Sequence, residues 1–176
     1  MSKNKKYIYI TIVIIQVLFL LFMVYSKHNH IEKGKKIILK VNPVDPRSIM
    51  RGEYIRLTYD FSELEIKLEN KLPKGEAIYI ILKNNLNVWS YNGYSLKKPE
   101  KNLTFIKGHV KYSYAVLDNE KNKKFKLFIN FGIEDYYVEE GKAIDYENKI
   151  NNEDLYVKVS LNSNGEGIVY GILEEK

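Results

Sequence analysis

The stretch PVDPRSIMRGEYIRLTY, which runs from Pro43 to Tyr59, determines how the rest of this chain is organised. Pro43 and Pro46 lack a backbone N–H donor, so this segment cannot lie in the middle of a β-sheet. The carboxylate of Asp45 can accept hydrogen bonds from the amides that follow Pro46, which predicts a tight turn. Gly52 is expected to supply a backbone conformation or a close approach that a Cβ atom would forbid. We therefore predict a proline-bounded turn that leads into a strand.

The strand after Gly52 carries bulky side chains on both faces. One face holds Tyr54, Arg56 and Thr58, and the other holds Glu53, Ile55, Leu57 and Tyr59. Such a strand is expected to be covered on two sides or to contain a bulge. The charged groups around the turn can form a network of Asp45, Arg47, Arg51 and Glu53. This network either fixes one hairpin or binds an anionic or carboxylate ligand.

Upstream, Tyr7 to Tyr25 forms a run of nineteen residues without a charge. A helix of this length rises about 28 Å, close to the roughly 30 Å hydrocarbon core of a bilayer. Tyr7, Tyr9 and Tyr25 lie at its ends, where aromatic rings prefer the membrane interface. The run exceeds the apolar part of a secretory signal peptide, which is the alternative. We predict an uncleaved anchor that contacts the lipid bilayer through residues 7–25.

The net charge of +6 is concentrated around this apolar run. Residues 1–36 contain seven lysines and one glutamate, which leaves 21 of the 28 basic and 21 of the 22 acidic residues for the rest of the chain. Lysines beside a membrane span attract anionic headgroups. The pattern favours a membrane surface and argues against nucleic-acid binding by the folded domain. The absence of cysteine excludes disulfides and thiolate metal sites.

These features divide the chain into three parts. Residues 1–26 are predicted to form a cytoplasmic tail and the transmembrane anchor, 27–36 a basic juxtamembrane linker, and 37–176 an extracytoplasmic β-rich domain. Lysines on both sides of the span leave the orientation open, and we adopt the common arrangement of a short inner tail and an exported domain. In the linker, His28 and His30 are either a weak metal-binding pair or two solvated side chains.

Alternation and enrichment in β-branched and aromatic residues predict eight strands beyond the linker. They are Ile37–Val41, Glu53–Tyr59, Ala77–Lys83, Leu86–Tyr91, Thr104–Leu117, Lys124–Phe131, Leu155–Leu161 and Gly167–Leu173. Turn signals lie between them, at residues 73–75, 84–85, 92–93, 118–119 and 162–165. The pattern predicts an all-β domain with minor helix, as an antiparallel β-sandwich or small barrel.

Three further features are predicted inside this domain. Lys107 and Gly108 interrupt the longest strand, which predicts a bulge or a bend. Phe61–Leu72 has apolar residues at helical spacing and is predicted to form a short helix. The polar and acidic segment Ile133–Ile150 is predicted to form helical turns or a loop.

The segment from Gly52 to Tyr59, GEYIRLTY, resembles the signature of the GDYXXLXY family of membrane-anchored bacterial proteins, with Glu53 where the signature has Asp. A second block, beginning at Phe131, matches the family at Glu134, Glu140 and Glu147, and the C-terminal hairpin resembles the family's end. The resemblance covers most of residues 37–173. It implies a single-pass protein with a multi-pass membrane partner, and it assigns no activity and no cofactor.

Signal-peptidase-like serine enzymes offer a second resemblance, because Pro43–Pro46 followed by Gly52 and Glu53 has a similar shape. In those enzymes a serine nucleophile lies at the position of Pro43, which has no hydroxyl group. The chain would then be an inactive or atypical relative, and we predict no catalytic residues.

The acidic residues near Glu134 follow no spacing typical of a calcium loop or a carboxylate-pair hydrolase. Glu134, Glu140 and Glu147 are the ones we predict to pair with Arg47, Arg51 or Arg56 across the domain, which would join the two blocks into one site. The leading hypothesis is a non-enzymatic accessory or binding module of an envelope or membrane protein complex. The alternative is a binder of a small anionic ligand or polymer through the Arg, Glu and Tyr cluster.

Overall fold

The computed structural model describes residues 3–42, 54–68, 70–116, 124–139, 141–142, 145–146, 149 and 154–174. Within them lie one long helix, α1 (Lys3–Lys33), and a set of mostly short strands. The strands are β1 (Lys35–Val41), β2 (Tyr54–Arg56), β3 (Glu63–Lys67), β4 (Ala77–Asn85), β5 (Val88–Ser95), β6 (Thr104–Val116), β7 (Lys124–Asn130), β8 (Asp135–Tyr137), β9 (Leu155–Leu161) and β10 (Gly167–Glu174). The predicted all-β class with one N-terminal helix is confirmed.

Helix α1 is long and apolar enough over Tyr7–Lys33 to cross a membrane, with a mean hydropathy of 2.6 in its most apolar window. The large apolar side chains between Tyr7 and Tyr25 are exposed and contribute nothing to the core. The helix does not end with the apolar run. The segment 27–36, predicted to be a linker, is instead helical as far as Lys33 and extended from Lys35, with Gly34 between them.

Eight strands form one sheet in the order β10-β9-β1-β5-β4-β6-β7-β3, and β2 pairs with β8 in a separate two-stranded ribbon. The described pairs are antiparallel except for β1 and β5, which run parallel with Leu39 opposite Trp89. The expected antiparallel sheet is therefore largely confirmed. Strands β1 and β5 are not consecutive in the chain, and β5 reaches its place beside β1 through its hairpin with β4.

The sheet curls over itself without closing into a barrel, because β10 and β3 remain at its two edges. The turn between β9 and β10 reaches across to β6, where the backbone N–H of Lys107 donates to the carbonyl of Gly165 at 2.8 Å. A Cβ atom on Gly167 would meet Ile133, Val159 and Ile106 side chains at 3.0–3.5 Å. The β9–β10 end of the sheet thus lies against β6 around one hydrophobic core.

Alternate residues of the main strands point into this core, as the period of a β-strand requires. On β1 the buried residues are Ile37, Leu39 and Val41, and on β4 they are Ile78, Ile80 and Leu82. Strands β7 and β9 contribute further apolar side chains to the same cluster. The ribbon and the chain that follows it cover part of the core, through Ile55, Leu57, Tyr59, Phe61 and Ile133.

The predicted helix over Phe61–Leu72 is wrong, because this segment contains the edge strand β3 instead. Strand β3 pairs with β7 from Glu63↔Phe128 to Lys67↔Lys124. Its exposed charges alternate with Leu64 and the buried Ile66, and this local period of two outweighs the helical spacing of the longer segment. Part of Ile133–Ile150 likewise forms strand β8, although Asp145, Tyr146 and Lys149 are helical.

Gly108 packs closely in β6 and does not form the predicted bulge there. A Cβ atom on Gly108 would lie 2.4 Å from Ile129 and 2.6 Å from the Phe131 ring. The irregularity in the pairing of β6 with β7 falls later, between Val110 and Tyr112. The irregularity thus lies beyond Gly108, and the glycine itself is required for close packing.

The hairpin between β4 and β5 turns at Leu86 and Asn87, two residues later than the turn predicted at residues 84–85. Both residues have positive φ angles, 50° and 75°, as the tight turns of β-hairpins require. The side chain of Asn84 accepts a hydrogen bond from the Asn87 amide at 2.9 Å. The turn predicted at residues 92–93 is wrong, because β5 continues through these residues and its pairing with β4 extends to Tyr79↔Ser95.

Candidate functional site

The ribbon of β2 and β8 joins the two sequence blocks that were predicted to form one site. Tyr54 lies opposite Tyr137, and Arg56 lies opposite Asp135. Just beyond the ribbon, the backbone N–H of Leu57 donates to the carbonyl of Glu134 at 2.6 Å. Backbone pairing therefore brings the strand after Gly52 beside the block that begins at Phe131.

The strand buries one face only. Ile55 and Leu57 are fully buried, and Tyr59 is 3% exposed. On the other face Tyr54 and Thr58 are half-buried and Arg56 is exposed. The predicted alternation is confirmed, whereas the expectation that both faces are covered is wrong, because no second layer of the described chain packs over Arg56.

Tyr59 anchors this strand to the second block through a buried hydrogen bond. Its hydroxyl donates to the carbonyl of Ile133 at 2.7 Å. Its ring stacks on Phe61 at 5.5 Å between centroids, and Phe61 meets the edge of Phe131 at 5.0 Å. Burial raises the pKa of the Tyr59 hydroxyl far above its usual value, and the charge of Glu134 adds to the increase. This tyrosine stays protonated and acts as a donor.

Glu134 closes the turn in the second block. Its carboxylate accepts a hydrogen bond from the backbone N–H of Phe131. Within the same turn Gly132 has a φ of 76°, a conformation that favours glycine, and its N–H donates to the side chain of Asn130 at 3.1 Å. The carboxylate is therefore occupied by its own turn. Its position supports a role in fixing the loop that receives Leu57 and Tyr59.

Seven of the predicted site residues lie outside the described residues: Asp45, Arg47, Arg51, Gly52, Glu53, Glu140 and Glu147. The predicted charge network around the turn, and the resemblance to serine enzymes at Pro43, fall on the same part of the chain. Among the described candidates, Arg56 and Glu134 are brought close by the pairing of their neighbours, yet they form no ion pair with each other. The pairing of the remaining charged candidates stays a prediction.

A second feature, which the sequence did not predict, fixes α1 to the sheet. We call it the helix–sheet joint and define it by His30, Ile31, Gly34 and Ser160. The hydroxyl of Ser160 contacts the carbonyls of His30 at 3.0 Å and Ile31 at 3.2 Å. A Cβ atom on Gly34 would lie 2.1 Å from this hydroxyl oxygen. Ser160 is fully buried although it points away from the core, because the end of the helix covers it.

His30 belongs to this joint. One nitrogen of its ring, Nε2, lies 3.2 Å from the carbonyls of both Ser160 and Glu166. The described residues contain no group of three histidine, cysteine or acidic side chains that could hold a metal ion. His30 is half-buried and links the helix to β9 and to the turn before β10, so it is not a freely solvated side chain. Metal binding by the His28 and His30 pair stays a prediction.

Comparison with known proteins gave one match. Residues 16–172 match the model of the family described as GDYXXLXY protein. The searches of curated proteins and of solved structures found no match. The matched range includes most of α1, the ribbon, the Glu134 turn and the sheet.

Proposed function

The chain belongs to the GDYXXLXY family, and on this basis we propose that it is a membrane-anchored extracytoplasmic β-domain that serves as a non-enzymatic accessory or binding module of an envelope or membrane protein complex. The apolar part of α1 is the anchor, in a single pass. The curled sheet is the module that faces the partner.

The observation that carries this proposal is the continuity of the anchor with the domain. Helix α1 runs without a break from Lys3 to Lys33. Strand β1 begins at Lys35, so Gly34 is the one residue between the helix and the strand. The helix–sheet joint then holds the last turn of α1 against Ser160. A domain attached in this way keeps a fixed height and orientation above the bilayer. This suits a module that must meet another membrane protein in one geometry.

The bonding of the signature residues supports a role without catalysis. Leu57 and Tyr59 are buried, and their polar groups bind the backbone of Glu134 and Ile133. The carboxylate of Glu134 is bound to the Phe131 amide. Groups used in this way stabilise the fold, since a buried polar group needs a partner inside the protein. Within the Arg, Glu and Tyr cluster, Tyr59 and Glu134 are thus engaged in hydrogen bonds of the fold itself.

The topology is tested by cysteine labelling, because the natural chain contains no cysteine. Lys74, which is exposed in the turn before β4, is replaced by cysteine in one variant and Ser2 in another. We expect a membrane-impermeant maleimide to label Lys74→Cys in intact cells, and Ser2→Cys only after the membrane is permeabilised. The opposite pattern, or equal labelling of both variants, would contradict an extracytoplasmic domain.

The partner is tested by photo-crosslinking from two exposed positions, Leu18 and Lys74, in living cells. A crosslinker at Leu18 reports on neighbours inside the bilayer, and one at Lys74 reports on neighbours of the domain. We expect a multi-pass membrane protein to be captured reproducibly from at least one of them. A chain that stays monomeric and uncrosslinked at native abundance would contradict a role in a complex.

A further inference from the structure

A cleft of about 860 Å³ opens where the end of α1 meets the sheet. We call it the juxtamembrane cleft and define it by Ser26, Lys33, Lys35, Lys98, Lys101 and Ser163. Its walls come from three distant parts of the chain: the last two turns of α1 with the start of β1, the connection from β5 to β6, and the turn between β9 and β10. The tertiary structure alone brings these lysines together.

The charge of this cleft is strongly one-sided. Four lysines line it, and none of the described lining residues is acidic. Glu100 lies between Lys98 and Lys101 in the sequence but is not part of the lining. The carboxylate of Glu166 on the nearby turn is bound by the side-chain amide of Asn162 at 2.7 Å. The cleft therefore presents positive charge that no carboxylate in its described walls neutralises.

Two of the lysines are held in place by neutral groups. The ammonium of Lys35 donates to the hydroxyl of Thr104 and lies 4.8 Å from the centroid of the Trp89 ring. The ammonium of Lys98 donates to the side-chain oxygen of Asn164 at 2.8 Å. Because an ammonium group has three N–H donors, each lysine keeps donors for a ligand. Oriented ammonium groups are typical of sites that bind phosphate oxygens.

The position of the cleft along α1 indicates the source of such a phosphate. Ser26, at the lower end of the cleft, directly follows Tyr25, the last residue of the uncharged run. Lys33 lies eight residues beyond Tyr25, or about 12 Å further along the helix axis. The headgroup layer on each side of a bilayer is roughly 5–8 Å thick. The cleft thus begins at the level of the lipid headgroups and extends just above them.

From these observations we infer that the juxtamembrane cleft binds the phosphate group of an anionic phospholipid in the leaflet from which α1 emerges. This inference rests on the proposed function, because it requires α1 to span the bilayer. The helix–sheet joint keeps Lys33 and Lys35 in register with Lys98 and Lys101, so the site is formed before the lipid arrives. The bound lipid would fix the domain against the membrane surface as well as through its helix.

The inference is tested by measuring lipid binding to the full-length chain in neutral detergent micelles. The bound fraction is read by native mass spectrometry during titration with short-chain phosphatidylglycerol, and with phosphatidylcholine and inorganic phosphate in parallel. We expect phosphatidylglycerol to bind most tightly. The double variant Lys98→Gln/Lys101→Gln should bind it more weakly by on the order of 25-fold, about five-fold for each lysine.

The matched control is Lys74→Gln/Lys111→Gln, which removes the same charge from exposed positions at the opposite end of β4 and β6. It should bind phosphatidylglycerol as the natural chain does. Equal affinities of the two double variants would overturn the inference, because net charge would then explain binding. Inorganic phosphate that binds as tightly as phosphatidylglycerol would overturn the assignment to a lipid.

A second variant tests the site independently, in case the first variant does not fold. Ser163→Asp places a negative charge on an exposed turn in the wall of the cleft, and it should also weaken the binding of phosphatidylglycerol. Unchanged binding by a folded Ser163→Asp chain would count against the site. Cysteine labelling reads the position of the domain independently of lipid affinity, so failure of the topology and failure of the cleft are distinguishable.

Discussion

The ribbon and the juxtamembrane cleft use their polar groups in opposite ways. Directly after the ribbon strand β2, Leu57 and Tyr59 are buried and bonded to the Glu134 turn. In the cleft, four lysines face an open volume whose described lining contains no acidic residue. The described signature residues Leu57 and Tyr59 thus stabilise the fold, while the site that we propose for a charged ligand lies outside the signature.

This difference follows from the environment of each region. A buried hydroxyl or amide destabilises the fold unless a partner inside the protein satisfies it, so the polar groups of the ribbon are taken up by the fold. Lysines at the surface keep their hydration and remain available to a ligand. Mutations in the ribbon should therefore change stability, and mutations in the cleft should change binding with little effect on stability.

The largest effect is expected at Leu57. Leu57→Ala removes a fully buried side chain next to Ile55 and should lower the free energy of unfolding by about 2–5 kcal/mol. Chemical unfolding of the full-length chain in detergent micelles measures this loss. The control is Arg56→Ala on the exposed face, with a change of about 0.5 kcal/mol or less. Equal losses at both positions would show that the strand is not one-sided.

The helix–sheet joint should be the next most sensitive region. Gly34→Ala would place a Cβ atom 2.1 Å from the hydroxyl oxygen of Ser160 and 2.7 Å from the carbonyl of His30. We expect a loss of about 3 kcal/mol, at the upper end of the usual cost of overpacking. Thermal unfolding in micelles measures it. Gly171→Ala in β10 is the control, because its Cβ would meet only Lys158 at 3.6 Å. A tolerated Gly34→Ala would mean that the joint is loose.

Loss of the Tyr59 hydroxyl should have a smaller effect. Tyr59→Phe leaves the carbonyl of Ile133 without this donor while keeping the stacked ring, and should cost about 1–2 kcal/mol. The same unfolding measurement at neutral pH applies. Tyr137→Phe, on a side chain that is 77% exposed, is the matched control and should be neutral. If both variants are neutral, the buried hydrogen bond does not hold the two blocks together.

The contribution of Tyr59 should also depend on pH. Its pKa is raised in the folded chain by burial, so the neutral form is favoured by folding. The stabilisation is complete below the unfolded pKa of about 10 and is lost as the pH rises above it, by about 1.4 kcal/mol per pH unit. The difference in stability between the natural chain and Tyr59→Phe should therefore shrink between about pH 9 and pH 11. A constant difference would contradict a buried, protonated hydroxyl.

The smallest effect on stability is expected in the cleft. Lys98→Gln/Lys101→Gln should leave the free energy of unfolding within about 0.5 kcal/mol of the natural value, because both side chains are exposed and no described acidic residue pairs with them. Unfolding without added lipid measures this. A large loss would mean that these lysines stabilise the fold, and the contrast with the ribbon would disappear.

Much of the fold could be predicted from local patterns. The structure contains the apolar helix from Tyr7, the alternation on β1 and β9, and the turn at residues 162–165. Each of these features depends on one continuous stretch of the sequence. The segment 61–72 was predicted incorrectly because its apolar residues fit two periods. Pairing with β7, a strand more than fifty residues away, decided between them.

Part of the candidate site could also be predicted from a local pattern. Alternation identified Ile55, Leu57 and Tyr59 as one face, and the structure buries that face. The partner of Tyr59 could not be predicted, because Ile133 lies 74 residues away and carries no signal beyond an ordinary apolar side chain. The need for glycine at position 34 could not be predicted either, because a glycine after a helix is common. Only the close approach of Ser160 makes it necessary.

By itself, then, the sequence determined the apolar helix, the all-β domain, the family and the shared buried face of Ile55, Leu57 and Tyr59, because each depends on residues close together in the chain. Only the tertiary structure decided that the helix is continuous with the domain and that a basic cleft lies beside it. Those features depend on contacts across long separations, 130 residues between His30 and Ser160 and 69 between Lys35 and Thr104. The order of the strands in the sheet sets these contacts, and no local periodicity of the sequence predicts that order.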